Sequence, residues 1–150
     1  MSKCFTALVV VFIITISNAK TFAQLSGNTF AEAKVSKKAN VVYTFSTTPG
    51  FIFSNGTNQF DGICVDIMKK FENYVEYNYG IVITPKYQLV ANNYFSKMLT
   101  SVKTAKGGVF GLGNITITEA RNKEYNFSPS FMHNVSLLVT NRAAPSLQKL

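Results

Sequence analysis

The fold class predicted for this sequence is α/β, a mostly parallel sheet flanked by helices. Two observations lead to it. Strand-like and helix-like segments alternate from residue 41 onward, and each long helical segment is followed by glycine and then by another strand-like run. Composition agrees: 150 residues at 47% hydrophobic are ordinary for a folded chain, and one dense apolar run, confined to the start, argues against a multi-span membrane protein. One domain is the natural count.

The first element is a targeting segment. Lys3 precedes an apolar stretch over residues 5–16, and small residues then end at Ala19 and Ala23, which is the pattern of a cleaved secretory signal over residues 1–23. An apolar core of about a dozen residues is shorter than the roughly 20 that span a bilayer. Cleavage after Ala23 removes Lys3 and Lys20 and no acid, taking the net charge from +8 to +6. Residues 24–40 are small, polar and without sustained period, and read as a linker or tail.

Residues 41–45 (Val-Val-Tyr-Thr-Phe) place β-branched and aromatic side chains in a row, as a buried strand does. The loop after it, 46–58, contains Pro49-Gly50 and Asn55-Gly56 yet also Phe51 and Phe53. From Cys64 to Tyr79 the apolar positions Val65, Met68, Phe71 and Val75 recur at three or four, which predicts an amphipathic helix that Gly80 ends. Residues 81–84 give a second strand. Residues 94–103 repeat the helical spacing with Phe95, Met98, Leu99 and Val102, and Gly107-Gly108 leads into a third strand at 109–112. Residues 119–123 read as one helical turn capped by Thr118, and 135–140 as a last strand.

Several chemistries are set aside. The basic residues are scattered in pairs such as Lys37-Lys38 and Lys69-Lys70, so solvated faces are favoured over a nucleic-acid surface. Cys4 and Cys64 are far apart and His133 stands alone, which supplies neither a disulfide framework nor a metal site, and no cofactor is expected. Cys64 reads as a buried small hydrophobe, and Asp66 as a capping or dipole-stabilising acid rather than a catalytic one. Sequons begin at Asn55, Asn114 and Asn134, a pattern common by chance.

The informative stretch is 113–131, beyond the third strand, where ligands of open parallel sheets bind. Thr116 and Arg121 are five apart across a strand-to-helix turn, so a hydroxyl, backbone N–H groups and a guanidinium could face one carboxylate. By spacing alone a surface ion pair of Arg121 with Glu119 or Glu124 is favoured.

Asn114, Thr116, Thr118, Arg121, Lys123 and Phe127-Ser128-Pro129 resemble the x-T-x-T-x-x-R, K and F-S signature of the type 3 periplasmic solute-binding proteins, a family related to the ligand-binding core of ionotropic glutamate receptors. Gly62, Val65 and Asp66 match a second family feature. Pro49-Gly50-Phe51-Ile52-Phe53 match a third, the aromatic loop after the first strand. The resemblance implies a periplasmic-binding-protein-like lobe in which Arg121 and Thr116 hold a ligand carboxylate. It puts Asn114 where a smaller residue usually offers its carbonyl to the amino group. It also points to Thr48 or Phe51, and to Phe95, as the stacking positions, although Thr48 is not aromatic and both Phe side chains equally suit core packing.

Such proteins have two lobes, and this chain ends where the second would begin, so the expectation is an incomplete bilobal fold, residues 41–150 forming the N-terminal lobe of a longer protein, with a decayed or specialised single lobe as the alternative. The implied function is secreted capture of a small amino acid or similar carboxylate for a membrane permease, by binding rather than catalysis. An enzyme-associated module of the same fold, a dehydratase or transglycosylase regulatory domain, and a receptor sensor domain are the alternatives.

Overall fold

The computed structural model describes residues 24–56 and 59–132. The expected signal segment with Cys4, the last strand, His133 and the Asn134 sequon lie outside the described residues, and the Asn55 sequon lies only partly within them. The chain divides into two compact units, one through Gly113 and one from Asn114.

The first unit is built on β1 (Lys38–Phe45); beyond a separate antiparallel pair, β2 (Phe53–Ser54) with β3 (Phe60–Asp61), β4 (Val82–Leu89) and β5 (Val109–Leu112) pair in parallel with β1 on its two sides, giving the order β4-β1-β5. Register is continuous from Lys38 beside Val82 to Phe45 beside Leu89, and Val42 to Phe45 stand beside Val109 to Leu112. A central strand of a parallel sheet is paired at both edges and covered by helices on its faces, and β1 is buried from Val41 to its end.

Alternation along β1 assigns its faces. Val41, Tyr43 and Phe45 join the core cluster with Cys64, Val65, Met68 and Val75 of α2 (Ile63–Tyr79). Tyr43 is fully buried and its hydroxyl donates to Glu72 Oε1 at 2.8 Å; burial first, then that bond, pushes the phenol well above its ordinary range. The opposite face carries Thr44, which stands beside Gly111 of β5. A Cβ at Gly111 would lie 2.8 Å from Met98 Sδ and 2.9 Å from Val102 Cγ2, so the missing side chain lets α3 (Phe95–Thr104) pack close to the sheet. Helices on both faces make the α/β layer predicted from the alternation.

Two expectations are corrected. Residues 24–40 are not a linker or tail throughout. Thr29 and Glu32 form a reciprocal capping box that starts α1 (Phe30–Ser36), whose Ala33 enters the core. The Thr29 backbone N–H, then the Thr29 hydroxyl, hold the Glu32 carboxyl below its ordinary range. The second strand runs to Leu89 rather than stopping at Thr84. Pro85 lies within it, and β4 accepts a proline because it is an edge strand in the described sheet, with only one side paired.

The start of α2 has no side-chain cap, and Asp66 lies in its first turn rather than at the cap. Backbone carbonyls do the capping instead: Ile63 N–H donates to Gly50 O at 3.1 Å and Cys64 N–H to Phe51 O at 2.9 Å. The N-cap is Gly62 with φ +114°, and a Cβ there would sit 2.5 Å from Phe51 O. At the other end Gly80 closes the helix at φ +62°, donating to Glu76 O at 2.9 Å.

Two substitutions test this packing by urea unfolding. Gly62→Ala forces both a disfavoured φ and a clash with backbone, and should lower stability by about 1–3 kcal/mol. Thr44 Oγ1 is buried without a hydrogen-bond partner among the described residues. Thr44→Val, which keeps the shape and removes the hydroxyl, should therefore leave stability unchanged or raise it by about 1 kcal/mol.

Candidate functional site

In the second unit, irregular chain from Asn114 leads into α4 (Glu119–Asn122). The sequence folds locally because Thr118 is an N-cap: its Oγ1 accepts from Arg121 N–H at 3.3 Å and its carbonyl from Asn122 N–H at 2.9 Å. Arg121 O then accepts from Glu124 N–H at 3.0 Å and Tyr125 N–H at 2.9 Å, closing the turn behind it. The backbone around Arg121 is thus held from both sides.

The Arg121 side chain folds back, and Nη1 donates to Thr116 O at 2.9 Å. That bond draws Thr116 and Arg121 together across the five-residue separation on which the sequence motif depends. Arg121 is half-buried while Asn114 and Thr116 are exposed. Glu119, one of the two acids that spacing offered to Arg121, pairs with Lys123 at 3.2 Å on an exposed i,i+4 face. A guanidinium anchored by a backbone carbonyl is suited to hold a planar carboxylate in one orientation.

The other predicted positions belong to the first unit. Thr48, Pro49, Gly50 and Phe51 form a tight turn in which Phe51 N–H donates to Thr48 O at 3.0 Å, with Gly50 at φ +78°. Proline second and a left-handed glycine third suit that turn chemically. Thr48 N–H donates to Ile52 O at 2.8 Å and the Thr48 hydroxyl to Ser46 O at 3.2 Å, so Thr48 shapes the loop. Phe51 is half-buried against the core cluster, and Phe95 opens α3 half-buried. A residue that the sequence reading did not single out, Asn93, accepts at Oδ1 from Thr47 N–H and so ties the loop after β4 to the loop after β1. The Asn92-Asn93 pair was the available signal, because asparagine tolerates the left-handed backbone that both residues adopt.

Residues 35–143 match the family model described as the ligated ion channel L-glutamate- and glycine-binding site. The chain belongs to this family. The matched segment includes Thr48, Phe51, Phe95, Asn114, Thr116 and Arg121. No curated protein and no solved structure matches the chain. The family is a periplasmic-binding-protein-like family of ligand-binding domains, not an enzyme family. It sits on the receptor side of the relationship that the sequence motifs indicate, and does not by itself single out a transport protein. Among the described residues, no helix is long and apolar enough to cross a membrane.

Cys64 is not placed as a nucleophile. It is buried on α2, and burial pushes its thiol up, with a bond from Gly113 backbone opposing. In a Cys4→Ser background the folded protein should therefore react with a thiol-specific maleimide at least about tenfold more slowly than the urea-unfolded chain. Equal rates would show Cys64 to be accessible.

Proposed function

We propose that this chain supplies the first lobe of an extracellular ligand-binding domain that captures a small amino acid or similar carboxylate. The observation that carries the reading is the 116–121 turn, whose residues match a carboxylate-binding motif and whose guanidinium is anchored on Thr116 O at 2.9 Å. Arg121 takes the ligand carboxylate through two parallel N–H donors, with the Thr116 hydroxyl beside it. Asn114 serves the amino group. Thr48, Phe51 and Phe95 of the first unit are the stacking positions that the family resemblance gives. The chemistry is binding, followed by closure against a second lobe, and it uses no nucleophile, metal or cofactor.

Two assemblies use such a lobe. The motif over residues 114–128 supports a secreted binding protein, exported by a signal at 1–23, that delivers its ligand to a membrane permease. The family match supports a receptor sensor domain at least as well, with closure on the ligand driving a membrane-spanning segment.

The test is calorimetric titration of the full-length protein with a panel of α-amino acids. Arg121→Ala should weaken the best ligand by on the order of 100-fold, and Arg121→Lys should recover only part of that, because an ammonium cannot present the planar fork. Unchanged affinity in Arg121→Ala would remove the site assignment.

A further inference from the structure

The edge of the sheet at which the strands begin, opposite their exits, has a chemistry of its own. α1 ends there, directly before β1, and α2 returns the chain there from the far edge to start β4. Aromatic rings join the two helices across this edge. Phe30 meets Tyr79 edge-on with centroids 5.2 Å apart, and Tyr79 lies 6.3 Å from Tyr74. All three are exposed, and Tyr77 at 90% and Val35 at 88% stand almost wholly in water beside them. Single exposed apolar residues are ordinary, but rings in mutual contact make a continuous surface.

Lysines surround the rings. Lys34 Nζ lies over Phe30, 4.9 Å from its centroid, and Lys37 Nζ donates to Tyr79 O at 3.2 Å. Lys38 opens β1 and Lys106 precedes β5, both exposed at the same edge. Only two of the first unit's acids are placed here, Glu32 and Glu76, and Glu32 Oε2 is engaged by the Thr29 N–H at 2.8 Å. Four lysines against two acids leave the edge cationic.

The chain also enters the unit here. Gln24 Nε2 donates to Thr104 O at the end of α3, and Lys106 N–H donates to Leu25 O at 3.0 Å. The apolar run over residues 5–16 lies upstream, separated from Gln24 by no more than about 28 Å of extended chain. Until that run is cleaved, a bilayer holding it is within reach of this edge.

Tyrosine and phenylalanine rings suit the headgroup layer of a bilayer, and lysine stems cover apolar surface while their ammonium groups reach lipid phosphates. A second copy of the chain fits less well, because it would bring the same set of lysines to the interface.

We propose that this edge is a bilayer-contact surface for anionic lipid, with Phe30, Tyr74, Tyr77 and Tyr79 entering the headgroup layer and Lys34, Lys37, Lys38 and Lys106 meeting the lipid phosphates. The strand exits then face away from the bilayer. The proposal is independent of the carboxylate site.

The chain has no tryptophan, so Y77W puts a sole reporter in the surface and Y94W puts one on the exposed ring that follows β4, at the opposite edge. The full-length protein is mixed with phosphatidylcholine vesicles with and without phosphatidylglycerol, their acyl chains brominated near the headgroups to quench tryptophan. The expected result is a blue shift and quenching at 77, and not at 94, on vesicles containing phosphatidylglycerol. K34Q/K38Q/K106Q in the Y77W chain should reduce that quenching to the level of neutral vesicles with an unchanged thermal midpoint. Lys37 is left in place because it adopts φ +58°.

Quenching at 77 that neutral vesicles match, or that the three glutamines leave intact, overturns the contact with lipid phosphate. Absence of quenching at 77 overturns the surface, and if the protein still floats with the vesicles the apolar run alone holds it there. Equal quenching at 77 and 94 overturns the surface as well. A blue shift at 77 that grows with protein concentration without vesicles assigns the rings to a second copy instead.

Discussion

The double-sided parallel pairing of β1 is the constraint on which the rest of the first unit depends. Neighbours on both edges leave β1 no free backbone, and helices over both faces leave its side chains no water, which is why its sequence runs Val-Val-Tyr-Thr-Phe without polar alternation. Parallel neighbours cannot be joined by a tight turn, so the chain must cross over through α2 to reach β4 and through α3 to reach β5. Those crossovers cover the two faces of β1. They also bring every strand exit to one edge of the sheet, and the loops that the functional reading uses follow from that geometry.

The loop after β1 is held by backbone rather than by side chains. The carbonyls of Gly50 and Phe51 accept from the first N–H groups of α2, so the turn satisfies the helix start and the helix start pins the turn. The close approach at Gly62 leaves no room for a Cβ. Phe51 is therefore placed by the same bonds that cap the helix, and its half-burial against the core is compatible with presenting part of the ring outward. The second unit uses a different device, a threonine cap and a guanidinium bonded back to the Thr116 carbonyl, to hold a charged side chain beside its own loop.

Legibility in the sequence followed the length and regularity of each signal. α2 was readable almost to the residue because Val65, Met68, Phe71 and Val75 repeat at intervals of three or four and Gly80 stops the helix. α1 was not, because it has seven residues and buries only Ala33, leaving no stripe to detect; its one local mark is the capping box of Thr29 and Glu32. The far half of β4 was hidden by Pro85, which argues against a strand until the strand is known to be at an edge. The Thr116 and Arg121 motif was legible as a motif, and of the two acids that spacing offered to Arg121, Glu119 pairs with Lys123.

The sequence by itself determined the alternation of strand and helix, the parallel layer, and the residue types of the turn proposed to bind a carboxylate, because periodicity, glycine punctuation and a dense motif are local properties of a chain. Tertiary structure decided which strand is central and which is an edge, that backbone carbonyls cap α2, and that Asn93 bridges two loops. Each of these depends on groups distant in sequence: Thr47 and Asn93 are 46 residues apart, and no local pattern records that one amide will find the other's side chain. Hydrogen-bond partners of loop backbone are chosen by what the fold brings near, not by neighbours in sequence.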